Sequence, residues 1–470
     1  MGQATGAQLG IVRGISYGVF GPPAPFVAQA RALGARVVRV YFTWNQIEPQ
    51  PGRYDWTAVD ALLGQLQPGD DLWVTVVSAS RWATRQATDF LPASLPRDNA
   101  AYQMFVGALV SRCRGMVRYW QCNNEPSNPG LWSGSAEDYA GLADSFAHTV
   151  RNADPDAEIV LGGCGFDVLS ATRDAPARIF FEDVLAKARE SFDLFDIHLY
   201  DDPRRIPFHI ANAREMLAAH GLDRPVVVGE CGGPTLLGFP ELEPVMQQVM
   251  GQAFAGAEPS LDTKDLTQLT DTPDRLAMRA LYERMADLPP ALQMFMQGCS
   301  PTLEAKRHRI ACREVVTRTL LVLSSGVDLV LWWNLAPEVP NYRDRFNLMG
   351  FLSDKLALMD FVHGELTRRE PAADAYARLG ALLSQASGVR RLDSDAGLVA
   401  IAVDTPGGPS VVFWLEADAF TGEDEPPRLI EWSWPNATAR VVDVFGASRE
   451  VATADGRLSL GVGVTPLFVS

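Results

Sequence analysis

Two glutamates in this 470-residue chain sit where an apolar run opens into a loop. Glu125 lies in Asn123-Asn124-Glu125-Pro126, just after the strand-like stretch Val117 to Trp120, and Glu230 directly follows the run Pro225 to Gly229. Two carboxyl groups that meet across a pocket can divide a reaction between them. One attacks as the carboxylate, and the other gives a proton to the departing oxygen and later takes one from water. Held about 5 to 5.5 Å apart, such a pair suits double displacement at a glycosidic carbon with retention of configuration. Other side chains fit that chemistry. Arg39 shares one side of its strand with Tyr41, opposite Val38 and Val40, so it points into a pocket or sits unusually among outer helices. Pointing inward, it would hold Glu230 as a carboxylate; otherwise it is a structural ion-pairing residue. His198 and Tyr200 alternate with Ile197 and Leu199 and share a face with Asp196. Trp44, Trp82, Trp132 and Trp333 fall at strand exits, where rings can stack on the C–H faces of a sugar. Trp332 takes the place of Trp333 if the strand parity is shifted by one.

These residues need a frame that brings them together. The chain alternates apolar, β-branched runs with helical stretches: strands at Leu9 to Tyr17, Arg36 to Phe42, Leu72 to Val77, Val117 to Trp120, Glu158 to Leu161, Leu194 to Tyr200, Pro225 to Gly229 and Asp328 to Trp333. Eight such units predict an α/β protein, a closed (β/α)8 TIM barrel whose carboxyl-end loops carry the site. Between Glu125 and Glu230 lie three units of roughly 35 residues each, in keeping with βαβ geometry. From residue 388 the texture changes to short β runs: Leu398 to Val403, Ser410 to Leu415, Leu429 to Trp434, Ala439 to Phe445 and Leu458 to Val464. The predicted division is a barrel over 1–385 and a small β-sandwich over 386–470. The barrel carries a helix-rich, acidic insertion at about 231–300, longer than a βα loop requires. Leaving from the Glu230 strand, that insertion should overhang the mouth or form a subunit interface. Leu281, Tyr282, Met285, Leu288 and Leu292 to Met296 would pack down, with Glu241, Glu243, Asp262, Asp265 and Asp271 in water.

Composition narrows the partners. The chain is 47% hydrophobic and 21% charged with a net charge of −16, the wrong sign for nucleic acid or an anionic membrane surface. A neutral carbohydrate suits it better. Six cysteines without close pairing, and no opening signal segment, point to free thiols in a cytoplasmic setting, or to secretion if a signal has been trimmed. The six histidines are scattered, so neither a metal nor another cofactor is expected. A homo-oligomer is left open.

Asn124-Glu125-Pro126 after strand four, a Glu ending strand seven, His198-Leu199-Tyr200 on strand six, Trp333 ending strand eight and the run Trp44 to Trp56 resemble clan A retaining glycoside hydrolases. Family 39, which includes β-xylosidases, is the nearest in pattern, over most of residues 10 to 385. The resemblance implies Glu125 as acid/base, Glu230 as nucleophile and Asn124 as partner of the sugar 2-hydroxyl. The chain departs from that pattern at Gly229 and at Cys231-Gly232-Gly233. The expected activity is retaining hydrolysis of a β-linked O-glycoside or oligosaccharide. The alternatives are a transglycosylase using the same glutamates and a catalytically silent barrel that binds polysaccharide.

Overall fold

In the computed structural model, which describes residues 6–246, 261–267, 269 and 271–470, eight parallel strands close into a barrel. They are β1 (Gln8–Val12), β2 (Val37–Thr43), β3 (Asp71–Val77), β4 (Tyr119–Cys122), β5 (Glu158–Gly165), β6 (Leu194–Leu199), β7 (Val226–Cys231) and β8 (Leu329–Trp333). Each pairs with its neighbours in sequence, and β8 closes on β1. The long outer helices include α1 (Asn99–Cys113), α2 (Ala136–Ala153), α3 (Pro176–Lys187), α4 (Ile206–Ala219), α5 (Pro301–Ser324) and α6 (Pro371–Leu383). Their starts are set by local chemistry. Ser135 and Asp138 form a reciprocal capping box on α2, and Ser300 caps α5 ahead of Pro301.

Strand positions match the sequence reading closely in five cases and differ in three. β4 begins at Tyr119, two residues after the predicted start, so Gln121 and Cys122 are strand residues. β5 runs on through the glycines to Gly165 rather than stopping at Leu161. The first strand is also shorter than expected and ends at Val12. Two irregularities in pairing matter for the site. Between β6 and β7, Ile197 pairs with Val228 but His198 with Glu230, so Gly229 is an extra residue. This bulge resets the alternation, and Glu230 turns to the interior instead of following Val228 toward the helices. A second shift occurs between β5 and β6 at Gly162-Gly163.

The insertion after β7 packs on a small core of its own. Leu236, Leu242, Met278, Leu281, Leu292 and Phe295 join Ile310 of α5 and Leu348 and Phe351 of the loop after β8. Residues 247–260 of the insertion lie outside the described residues. Its next part reaches the far side of the barrel. Asp262 Oδ1 accepts from Thr88 Oγ1 (3.1 Å) and Asp89 N (3.0 Å), and Leu261 pairs with Leu91, all in the loop after β3. Asp262 is therefore buried, against the expectation that it stays in water, because the β3 loop supplies its hydrogen-bond donors.

The C-terminal region is antiparallel. A six-stranded sheet and a two-stranded sheet share a core that includes Leu398, Phe413, Ile430, Leu458 and Leu460. Three strands escaped the sequence reading: Gly388–Arg391, Ser448–Ala452 and Leu467–Val469. The outer face of the large sheet is not left wet. Val399, Ile401, Val403, Val412 and Trp414 belong to the same continuous core as the barrel. All six cysteines are free, and among the described residues no helix is long and apolar enough to cross a membrane.

Candidate active site

The barrel interior ends in a polar layer built on Arg39. Through Val12, which pairs with both Arg39 and Trp333, the register places these side chains on one face, so Arg39 is inward. It is fully buried, and every direction of its guanidinium is used. Nε donates to Thr75 Oγ1 (3.0 Å) and Nη2 to Gln121 Oε1 (2.6 Å) and Asn124 Oδ1 (2.7 Å). Nη1 donates to Gly229 O (3.1 Å) and Glu230 Oε1 (3.2 Å). Its plane also lies over the Tyr41 and Trp73 rings, at 4.8 and 5.0 Å. Burial works against its charge, but Tyr41, Glu230 and Asp196 outweigh this and its pKa is raised.

Glu230 is held from three sides. Oε1 accepts from Tyr41 Oη (2.6 Å) as well as from Arg39, and Oε2 accepts from Tyr200 Oη (2.6 Å). Burial, with the neighbouring carboxylates, pushes both phenols well above their usual pKa, so they remain donors. This is the hydrogen-bond pattern of an ionised carboxylate with fixed orientation.

Glu125 comes from the turn after β4. Asn123 (φ 56°) and Glu125 (φ 40°) both lie in the left-handed region, which costs a non-glycine residue roughly 1–3 kcal/mol. Asn123 offsets this by fixing the loop: its Oδ1 accepts from Ser78 N at 2.8 Å. The Glu125 side chain, 24% exposed, then meets His198, whose Nδ1 lies 2.6 Å from Glu125 Oε1 and 3.5 Å from Glu230 Oε2. His198 Nε2 lies 3.1 Å from Asp196 Oδ2. Burial alone would lower the His198 pKa, but Glu230, Asp196 and the hydrogen bonds to Asp196 and Glu125 raise it to about 10. His198 is thus an imidazolium at neutral pH. Glycines make room for this layer. A Cβ on Gly163 would stand 2.2 Å from His198 Nε2, and one on Gly229 2.5 Å from the Asp196 carboxylate.

Donor atoms of Glu125, His198 and Glu230 lie within 4.8 Å of one another, the one group among the described residues whose geometry could gather around a cation. Its chemistry does not suit one. An imidazolium has no lone pair to give, and both oxygens of Glu230 already accept tyrosine hydroxyls.

Of the ten residues singled out from sequence, Glu125, Glu230, Asn124, Arg39, His198 and Tyr200 form this one cluster. Trp333, half-buried, ends β8 on the Arg39 face, whereas Trp332 turns away and donates to Leu356 O (3.1 Å). Two of the tryptophans are corrections. Trp44 is fully buried, stacked on Phe105 of α1 at 5.1 Å and tied to Glu48 Oε2, and Trp132 is 2% exposed against Tyr139. Neither offers a face to a ligand; both fasten loops to the helical layer. Trp82, half-buried, packs edge-on against Trp44 and donates to Glu48 O (2.9 Å). Missing from the expected set were Tyr41, Gln121 and Asp196. Alternation already put Tyr41 beside Arg39 and Asp196 beside His198, and that parity was the available signal.

The sequence matches no protein-family model and no curated protein. Solved structures share the fold. A family 39 glycoside hydrolase from the gut symbiont Bacteroides cellulosilyticus WH2 aligns with TM-score 0.61 at 14% identity, over 98% of this chain and 80% of that one. A GH39 β-xylosidase from Caulobacter crescentus gives 0.58 at 14% over 99% and 97%. A glucosidase from Croceicoccus marinus gives 0.56 at 15% over 100% and 97%. The barrel with its C-terminal antiparallel sheets is therefore the architecture of these glycoside hydrolases.

Proposed function

We propose that this protein is a retaining O-glycoside hydrolase acting on a β-linked glycoside or oligosaccharide. The observation that carries the reading is the approach of Glu125 and Glu230, one carboxylate oxygen of each lying within 4.8 Å of the other. That spacing suits direct attack by one carboxylate, and it leaves less room than an inverting enzyme needs to seat a water between the two groups. Glu230, oriented by Tyr41, Tyr200 and Arg39, attacks the anomeric carbon. The bond to the leaving oxygen breaks as that oxygen takes a proton from Glu125. The glycosyl–Glu230 ester then yields to water, which Glu125 deprotonates.

The surrounding residues act through these two. His198 pairs with Glu125 and keeps a proton beside it into the alkaline range. Arg39 fixes the amide oxygen of Asn124, which turns the NH2 group outward toward a sugar 2-hydroxyl. Trp333 lies on the inward face of β8 as the floor for the sugar ring. The likeness in fold to glycoside hydrolases supports the reading. Turnover of a panel of aryl β-glycosides, with the configuration of the first product followed by NMR, tests it. A retained product supports the mechanism, an inverted product refutes it, and transfer to alcohols in place of water would favour a transglycosylase.

A further inference from the structure

Among the charged side chains of the polar layer, Asp196 has no part in the proposed chemistry, and it is fully buried, out of reach of a molecule in the mouth. Its two oxygens nevertheless serve different halves of the site. Oδ1 accepts from Gly229 N at 2.6 Å, on the bulge of β7 that turns Glu230 inward. Oδ2 lies 3.1 Å from His198 Nε2, on the ring whose Nδ1 meets Glu125, and accepts from Gln121 Nε2 at 2.9 Å. With donors on both oxygens, the pattern is that of an ionised carboxylate.

The distribution of charge gives Asp196 a further task. Arg39 Nη1 lies 3.5 Å from His198 Nε2, so two cations approach each other in a buried layer. Asp196 Oδ2 stands beside both, 3.1 Å from the imidazole and 3.8 Å from the guanidinium. A carboxylate placed there offsets a repulsion that burial would magnify. Without it, the ring would shed its Nε2 proton and accept from Arg39 instead. On the other side of the ring, Glu125 from the turn after β4 and Glu230 from β7 face Nδ1. Burial lowers the His198 pKa; Glu230, then Asp196 by charge and by hydrogen bond, and then Glu125 carry it up to about 10. Gln121 cannot turn its amide round to adapt. Its Oε1 accepts from Arg39 Nη2 (2.6 Å) and Thr75 Oγ1 (2.7 Å), and its Nε2 also donates to Leu161 O (3.2 Å).

We propose that Asp196 is a positioning residue for both glutamates. Through Gly229 N it holds the bulge that aims Glu230. Through Nε2 it holds His198 as the doubly protonated ring that presents Nδ1–H to Glu125. This role rests on the hydrolase reading, which gives the two glutamates their tasks.

The test combines two variants with a spectroscopic readout on the full chain. Asp196→Asn keeps an acceptor for Gly229 N but turns an NH2 group toward the donors of His198 and Gln121, whereas Asp196→Ala removes both acceptors. In nitrogen NMR of histidine-labelled protein at pH 8, with His198→Asn assigning the signals, both ring nitrogens of His198 should carry protons in wild type. In both variants Nε2 should have lost its proton. In kinetics, Asp196→Asn should lose kcat on alkyl β-glycosides and largely keep it on activated aryl glycosides. Asp196→Ala should lose about a hundredfold in kcat on both, because Glu230 is also misaimed. KM should change little, since Asp196 does not touch the substrate. A singly protonated His198 in wild type would overturn the proposal even if neither variant folds. It would equally be overturned by variants whose His198 keeps both protons, or by an Asp196→Ala protein with wild-type kcat on both substrates. Wild type that turns over no β-glycoside, with the spectra as expected, would refute the hydrolase reading instead.

Discussion

His198 stands between the two glutamates and ties their chemistry to pH. Its folded-state pKa of about 10 lies above the ordinary 6.5, so the interaction stabilises the protein fully below about 6.5 and is lost as pH rises through about 10. The stability difference between wild type and His198→Asn, from urea unfolding, should therefore shrink from neutral to strongly alkaline pH. A difference that grows with pH would remove the imidazolium from the account. In kinetics the same variant should lose activity on poor leaving groups. Glu125→Ala should spare activated aryl glycosides and penalise alkyl glycosides, because only the latter need the proton. Equal losses on both would mean that Glu125 is structural. For Glu230→Gln the expected loss in kcat is about a thousandfold or more with the fold intact. Azide supplied to Glu230→Gly should restore turnover and give an inverted product. A Gln variant with wild-type turnover would exclude Glu230 as nucleophile.

At the scale of elements, the site depends on irregularities that alternation does not encode. Arg39, His198 and Tyr200 were legible because regular strands place every second residue on one face. The bulge at Gly229 was not legible, since a glycine before Glu230 reads equally well as a turn at the end of a strand. Trp44 and Trp132 misled for a related reason: being near a strand exit does not say whether a ring faces the mouth or the helices, and tertiary packing decided that. Gly229→Ala should push the Asp196 carboxylate aside or undo the bulge, costing about 1–3 kcal/mol in stability. Its larger effect should be on kcat, through the aim of Glu230. A variant that is less stable but has unchanged kcat would show that the bulge is not what aims the nucleophile. The insertion after β7 is the other element whose role sequence left open. It leaves beside Glu230 and meets the β3 loop on the opposite side of the barrel, through Asp262 and through Thr263 N to Asp89 (2.8 Å). We read it as a wall closing one end of the mouth, which favours trimming of chain ends. Replacing residues 240–295 by a short linker should raise activity on long polymers relative to aryl glycosides. An unchanged substrate profile, with a dimer becoming a monomer in light scattering, would favour a subunit contact instead.

Across the whole molecule, the change of texture near residue 388 marks where β structure takes over, but it does not mark a part that can be removed. The first face of the C-terminal sheet packs with its own small partner sheet, and the second packs with the barrel. Alternation along one strand shows both: Leu398 and Ala400 enter the sandwich core, while Val399, Ile401 and Val403 enter the barrel core. Tyr376, on the helix leading into the sheet, adds a hydrogen bond to Gly10 O (2.7 Å) in β1. With Val412, Trp414, Val444 and Phe468, seven buried apolar side chains of the C-terminal region complete the barrel's core. At roughly 1.5–3 kcal/mol each, an upper estimate, their removal costs about 10–20 kcal/mol. That equals or exceeds the ~5–15 kcal/mol net stability of an ordinary domain. A chain truncated after residue 385 should therefore aggregate or expose dye-binding apolar surface, whatever its catalytic residues. Replacing Ile401 with Asp in the full chain should act in the same direction by placing an unpaired charge in the core shared with the barrel. Differential scanning calorimetry distinguishes the cases. One cooperative transition for the full chain and none for the truncation is the expected result, and a soluble monomeric truncation with a wild-type Tm would show that the sheet is an independent attachment.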